Sequence, residues 1–138
     1  MAALIHGRVE NVVVFTLPSL PPSVNEIYGP TRSVHSATPR WEPKAIWKRW
    51  RGEMRRHVKV LRVTPGSSVR FDAWFFYNRY CKNGSVRRAD PANLLKWLID
   101  TVADAQDWDD CLVWQGSWGS SHDPDNPRVA VRLTEVRR

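Results

Sequence analysis

Six of the 14 acidic residues, Asp90, Asp100, Asp104, Asp107, Asp109 and Asp110, fall within the 21 positions from 90 to 110 of a chain whose formal net charge is +7. Mg²⁺ takes a small number of carboxylates together with waters and substrate phosphate oxygens, so Asp90 with Asp110 is a candidate ligand pair. Of the 21 basic residues, 16 are Arg. Arginine forks bind phosphate bidentately and stack on base planes, which favours nucleic acid as the partner. A basic protein with one acidic pocket has the electrostatic outline of a metal-dependent nuclease. Each position also has a plainer account: Asp90 before Pro91 as a helix cap, Asp109-Asp110 as a turn, Lys96 with Asp100 as a helix-surface ion pair. From composition alone, a nucleic-acid-binding module whose acids cap and solvate a helix is the simpler reading.

The elements that must position these residues can be read from the pattern. Asn11 to Leu17 is a β-branched, aromatic run ended by Pro18 and reads as a first strand. A Pro- and Ser-rich segment from Pro18 to about Arg40 reads as a long loop, unusual in a compact domain and for that reason a functional candidate. From Pro43 to about Leu61 the spacing is helical, with Ile46, Trp50, Met54 and Val58 or Leu61 on one stripe. This helix carries Lys44, Lys48, Arg49, Arg51, Arg55, Arg56, Lys59 and Arg62 against Glu53 alone. Ser67 to Asn78 alternates as a second strand, and Arg79 to Arg88 is a basic loop containing Lys82 and Arg87. Asp90 at the N-cap with Pro91 at the first position opens a second helix to about Asp104. Its apolar face is Leu94, Leu95, Leu98, Ile99 and Val102, and Asn93, Lys96, Asp100 and Asp104 lie opposite. Cys111 to Trp118 and Pro127 to Val136 read as closing strands about a turn at Gly119 to Asn126. The expected fold is a small α+β domain with a mixed sheet and two main helices, in the order β-α-β-α-β-β.

Length and composition set the outer bounds. The 138 residues fit one domain, 1–138, with a core that needs no disulfide or metal staple. Cys81 and Cys111 form no CxxC motif and point to a reducing compartment. The first 15 residues are interrupted by His6, Arg8 and Glu10, so neither a signal peptide nor a membrane span is expected. The location expected is cytoplasmic. Most of the eight tryptophans are core or interface candidates, with Trp41, Trp47 and Trp118 the candidates for stacking on DNA.

LPSLPPSVNEIYG, RRADPANLLKWLID and WDDCLV, in that order and spacing, resemble the RusA family of Holliday junction resolvases, found widely in phages and prophages. The Pro-Pro-Ser-x-Asn loop of that family is matched by Pro21, Pro22, Ser23 and Asn25. Its central motif is matched by Arg87, Arg88, Asp90, Asn93, Leu94, Lys96 and Asp100, and its third block by Asp109 and Asp110. The resemblance covers about Phe15 to Leu133. It departs at Ala92, where the typical motif has a second Asp.

The resemblance implies a homodimer that cuts two opposed strands of a four-way DNA junction with Mg²⁺, or with Mn²⁺ as substitute, during recombination and repair in a bacterial cell. Asp90, Lys96 and Asp110 carry the catalytic roles, and Asp90, Asp110, Asp109 and Asp100 are the metal candidates. Arg87, Arg88, Asn25, Asn93, Lys44, Lys48, Arg51, Arg55, Arg56 and Lys82 are the DNA-binding candidates. No membrane and no nucleotide cofactor are expected. Two other readings stand beside this one: a branched-DNA binder with a degenerate metal site, and a nuclease for flaps or forks.

Overall fold

Val69, Phe71, Ala73 and Phe75 alternate with Arg70, Asp72, Trp74 and Phe76, and this period of two places the first set on one buried sheet face. The computed structural model describes residues 7–22, 28–31, 40–43, 45–87 and 91–137, and for 28–31, 40–43 and 91–93 the backbone alone. In chain order the elements are β1 (Arg8–Leu17), β2 (Tyr28–Thr31), β3 (Arg40–Pro43), α1 (Ala45–Met54), β4 (Ser68–Tyr77), α2 (Pro91–Asp104), β5 (Val113–His122) and β6 (Arg128–Arg137). Short 3-10 turns follow α1 at Arg55–His57 and precede β5 at Asp110–Leu112. The main sheet runs β1-β6-β4-β5, antiparallel except between β4 and β5. That parallel pair needs a crossover, and α2 lies in it. The architecture is α+β with a four-stranded mixed sheet and two helices among the described residues. No described helix is long and apolar enough to cross a membrane.

The core lies on one side of the sheet. Val69, Phe71, Ala73 and Phe75 of β4 stand opposite Glu135, Leu133, Val131 and Val129 of β6. Phe15 and Leu17 of β1 extend the same face, and Leu94, Trp97, Leu98 and Val102 of α2 join them in one buried cluster with Trp47, Trp50 and Met54 of α1. A fully buried Leu such as Leu98 contributes about 1.5–3 kcal/mol of apolar burial. The opposite face is open along β1, where Val12 and Val14 are half exposed. Further along it, Asp72 joins Arg70 at 3.0 Å and Arg132 at 3.2 Å and accepts the Ser117 hydroxyl at 2.6 Å. Burial works against the Asp72 charge, but Ser117 and the two guanidinium groups hold its carboxyl below the ordinary range.

Several elements differ from the sequence expectation. The segment expected as loop contains an antiparallel pair, Tyr28 opposite Pro43 and Thr31 opposite Arg40. Its two prolines are tolerated because a two-stranded ladder consists of edges only. The first helix ends at Met54 instead of about Leu61, and Val58 is already extended. Two tertiary clamps hold that extended stretch. The Gln106 side chain donates to Lys59 O at 2.9 Å and accepts from Leu61 N–H at 2.8 Å, and the Trp108 indole donates to Leu61 O at 3.1 Å. The buried stripe of α1 is Trp47, Trp50 and Met54, and Ile46, expected inside, is exposed. Trp47, expected to be available for stacking on DNA, lies 5.8 Å from Trp50 and edge-on to Trp97 at 5.2 Å, so it is core. β5 begins and ends later than expected. Asp109 caps a 3-10 turn over Asp110–Leu112, and the Gly- and Ser-rich stretch expected to turn remains paired with Trp74 to Tyr77. Gly119 is needed in that strand because the Trp74 ring covers it: a Cβ there would lie 2.0 Å from the indole.

Candidate functional site

Leu94, Leu98 and Val102 turn one face of α2 into the core, and the helical period then presents Lys96, Asp100 and Asp104 on the opposite stripe. The helix closes on bonds from Ala105 N–H to Val102 O and from Gln106 N–H to Ala103 O. The chain then reverses toward β5. Gln106 and Trp108 fasten this reversal to Lys59 and Leu61, and so fix the height at which Asp109 and Asp110 stand beside α2. Asp109 Oδ1 accepts the Cys111 N–H at 3.0 Å, which caps the 3-10 turn that includes Asp110.

The outcome is a polar recess of about 400 Å³ whose wall includes Asp100, Asp104, Asp109, Asp110, Gln106 and, from α1, Arg51. The Asp110 carboxyl stands within hydrogen-bond reach of Asp109 and of Asp100. Asp109, and after it Asp100, push the Asp110 carboxyl above the ordinary carboxylate range, because a proton between crowded acids relieves their repulsion. The Cys111 backbone N–H, with Asp110 as hydrogen-bond partner, holds Asp109 below that range. Desolvation and the Asp109 charge push the Cys111 thiol up, so it is a poor nucleophile despite being free and exposed.

Crowded carboxylates of this kind fit a divalent cation, whose charge replaces the shared proton. Among the described residues no three His, Cys, Asp or Glu side chains are placed to hold a metal ion.

The expected residues divide into three groups. Asp100, Asp109 and Asp110 meet in the recess, joined by Arg51 from the basic helix. Lys96 lies one turn before Asp100 on the exposed stripe, with its ammonium 5.5 Å from the Trp97 ring centre. Lys48, Arg55 and Arg56 are exposed along α1 and the turn after it, and Lys82 and Arg87 are exposed on the loop after β4. That loop is shaped by a bridge between Tyr80 and Val86, and the Arg87 guanidinium donates to Tyr80 O at 3.2 Å. Asn25, Lys44, Arg88 and Asp90 lie outside the described residues, and Asn93 is described only as part of the α2 backbone. Trp118 is 48% exposed on β5, while the Trp41 side chain lies outside the description.

Sequence reasoning did not single out Gln106 and Trp108 as positioning residues. The available signal was Trp108 itself, a large aromatic placed between Asp107 and Asp109 in a turn that is otherwise polar. A scan against known protein-family models finds no match for this chain, and a search among curated proteins finds none either.

Proposed function

We propose that this chain is a divalent-cation-dependent endonuclease for branched DNA, with four-way junctions as its first substrate class and a homodimer as its working form. The observation that supports this most is the meeting of Asp100, Asp109 and Asp110 beside a helix of unbalanced positive charge. The sequence motifs that resemble the RusA family point the same way. Asp110 with one of its neighbours Asp109 and Asp100, and Asp90 as the motif's further carboxylate, are the residues that would hold Mg²⁺ or Mn²⁺, with water completing the shell. When bound, the ion supplies Lewis-acid activation of the phosphodiester and lowers the pKa of a water.

The chain's own residues supply the rest. Lys96 offers a mobile ammonium to the negative charge that grows on phosphate oxygens during hydrolysis. Lys48, Arg55 and Arg56, with Arg87 and Lys82 on the second basic segment, contact backbone phosphates without reading sequence. They also offset the repulsion between DNA and the carboxylates. Paired symmetric nicks require two sites related by a two-fold axis, which a homodimer provides.

Incubation of the purified protein with a synthetic four-way junction and Mg²⁺ or Mn²⁺ tests this reading. Cutting that is lost in Asp110→Asn while junction binding is retained is the expected result. Binding without cutting in either metal would replace the enzyme by a branched-DNA binder, the reading that Ala92 favours. Faster cutting of flaps or forks than of junctions would reassign the substrate.

A further inference from the structure

We infer that the groove between α1 and α2 is a binding subsite for one phosphodiester of a DNA strand whose neighbouring phosphate occupies the carboxylate recess; the inference rests on the nuclease reading. The groove has a volume of about 260 Å³ and is lined by Lys48, Arg51, Gly52 and Arg55 on one side and Thr101 and Asp104 on the other. Positions 48, 51, 52 and 55 recur every three to four residues and form a single stripe. Arg51 and Asp104 also line the carboxylate recess, so the two depressions are neighbours that share this ion pair as a wall.

Two observations make this a site and not merely a charged surface. The first is how the cations are held. Asp104 takes Arg51 at 2.8 Å and Arg55 at 3.6 Å, with side-chain exposures of 47%, 35% and 64% respectively. Pairs so open to water add little to stability. They nonetheless set two guanidinium groups beside one carboxylate on the same wall, and with Lys48 the groove keeps two positive charges in excess. Guanidinium forks placed in this way suit the oxygens of a phosphodiester.

The second observation is Gly52. It lies in the last turn of α1, where glycine weakens a helix relative to alanine unless it serves as a left-handed cap. Its φ is not positive, and a Cβ built on it would meet nothing within 4 Å. Neither backbone conformation nor protein packing calls for glycine there. A side chain at this position would instead stand in the open space of the groove that Lys48, Gly52 and Arg55 line, and its absence leaves that space open to a ligand.

The experiment compares the parent with Gly52→Leu and with the Lys48→Ala/Arg55→Ala double variant. Junction binding is measured without divalent metal over a range of salt, alongside cleavage by the parent. Leucine is a good helix former and changes no charge, and an unfolding midpoint no lower than the parent's establishes that the variant is folded. The expected result is a salt slope smaller by about 1 in both variants, the value for one lost phosphate contact. Parent-like slopes in both variants, with the parent still cutting junctions, overturn the subsite and leave the nuclease reading in place. A parent that neither binds nor cuts branched DNA overturns both. Titration with inorganic phosphate is the strand-free arm: saturation of the Arg51 and Arg55 side-chain NMR signals, with DNA slopes unchanged in the variants, assigns the groove to a small anion and overturns the strand subsite.

Discussion

Glu135 is fully buried on the core side of β6, and its charge depends on three donors. The Asn11 side-chain amide reaches Oε1 at 2.8 Å, and Thr64 reaches Oε2 through its backbone N–H at 2.5 Å and its hydroxyl at 2.9 Å. Glu135→Ala removes all three acceptor contacts and leaves the Thr64 N–H without its partner. The expected cost is about 3–5 kcal/mol, a large part of the roughly 7–20 kcal/mol that a chain of this length has in total. Glu135→Gln should cost less. If its oxygen faces Thr64 and its nitrogen faces Asn11, the Asn11 amide can turn its own oxygen inward, and only the charge-assisted strength is lost, about 1–3 kcal/mol. The pH dependence follows from the ionisation. Burial alone would raise the Glu135 pKa, but the Thr64 and Asn11 bonds more than offset it, and the carboxyl titrates below its ordinary value of 4.5. A depressed pKa in the folded state gives stability that is fully present above the unfolded value and is lost as pH falls through the folded one. Urea unfolding of the parent and both variants at pH 7 and pH 3 should show the gap between parent and Gln shrinking in acid. A gap of equal size at the two pH values, or an Ala variant that costs under about 1 kcal/mol, would refute the account.

Three other outcomes follow from local geometry. Gly116→Ala would place a methyl group 1.9 Å from the Phe71 carbonyl oxygen, where backbone faces backbone between β4 and β5. It should destabilise by about 3 kcal/mol or more and selectively lose amide-exchange protection from Val113 to Ser117. Trp50→Phe removes the indole bond to the Ser19 hydroxyl at 2.7 Å and should cost about 1 kcal/mol more than Ser19→Ala, read as a lower denaturant midpoint. Asp100→Asn takes away one of the two carboxylates that raise Asp110, so the Asp110 carboxyl should titrate at lower pH by carbon-detected NMR in metal-free buffer. An unchanged titration would separate Asp100 from the cluster.

What the sequence made legible was decided by local physics. The alternation in β4 and the Asp90-Pro91 start of α2 are short-range signals, and both elements lie where those signals put them. The polar stripe of α2 follows from helix geometry alone, and so do Leu94, Leu98 and Val102 of its apolar side; Leu95 and Ile99, expected with them, are only partly buried, and Trp97 and Ala103 are buried instead. The misplaced boundaries have tertiary causes. The stretch from Val58 to Leu61 carries helical spacing but is drawn out by Gln106 and Trp108, residues some 45 positions away. Gly119 and its Ser neighbours have turn composition, yet they continue β5 because Trp74 lies against them and donates to Ser121 Oγ at 2.8 Å. In the candidate site the acidic residues were visible as a list. Their meeting depended on the clamp at Lys59 and Leu61, which no local pattern encodes.

The position of β6 has a consequence for how the protein is made. It is the last strand of the sheet in the chain, yet it lies between β1 and β4 and hydrogen-bonds to both. β1 finds its partner only when Leu17 meets Val129 and Arg8 meets Arg137, 112 and 129 residues further along. A ribosome that has released everything up to His122 has exposed every candidate catalytic residue and both helices, but not the strand that unites the sheet. Until then β1 has no partner strand and β4, paired with β5 alone, has one open edge, and exposed edges of this kind aggregate or recruit chaperones. Folding is therefore late and non-local, with the slow closure expected of high contact order. Every residue lining the acidic recess precedes β6 in the chain, so the site's residues are made before the strand that joins the two halves of the sheet.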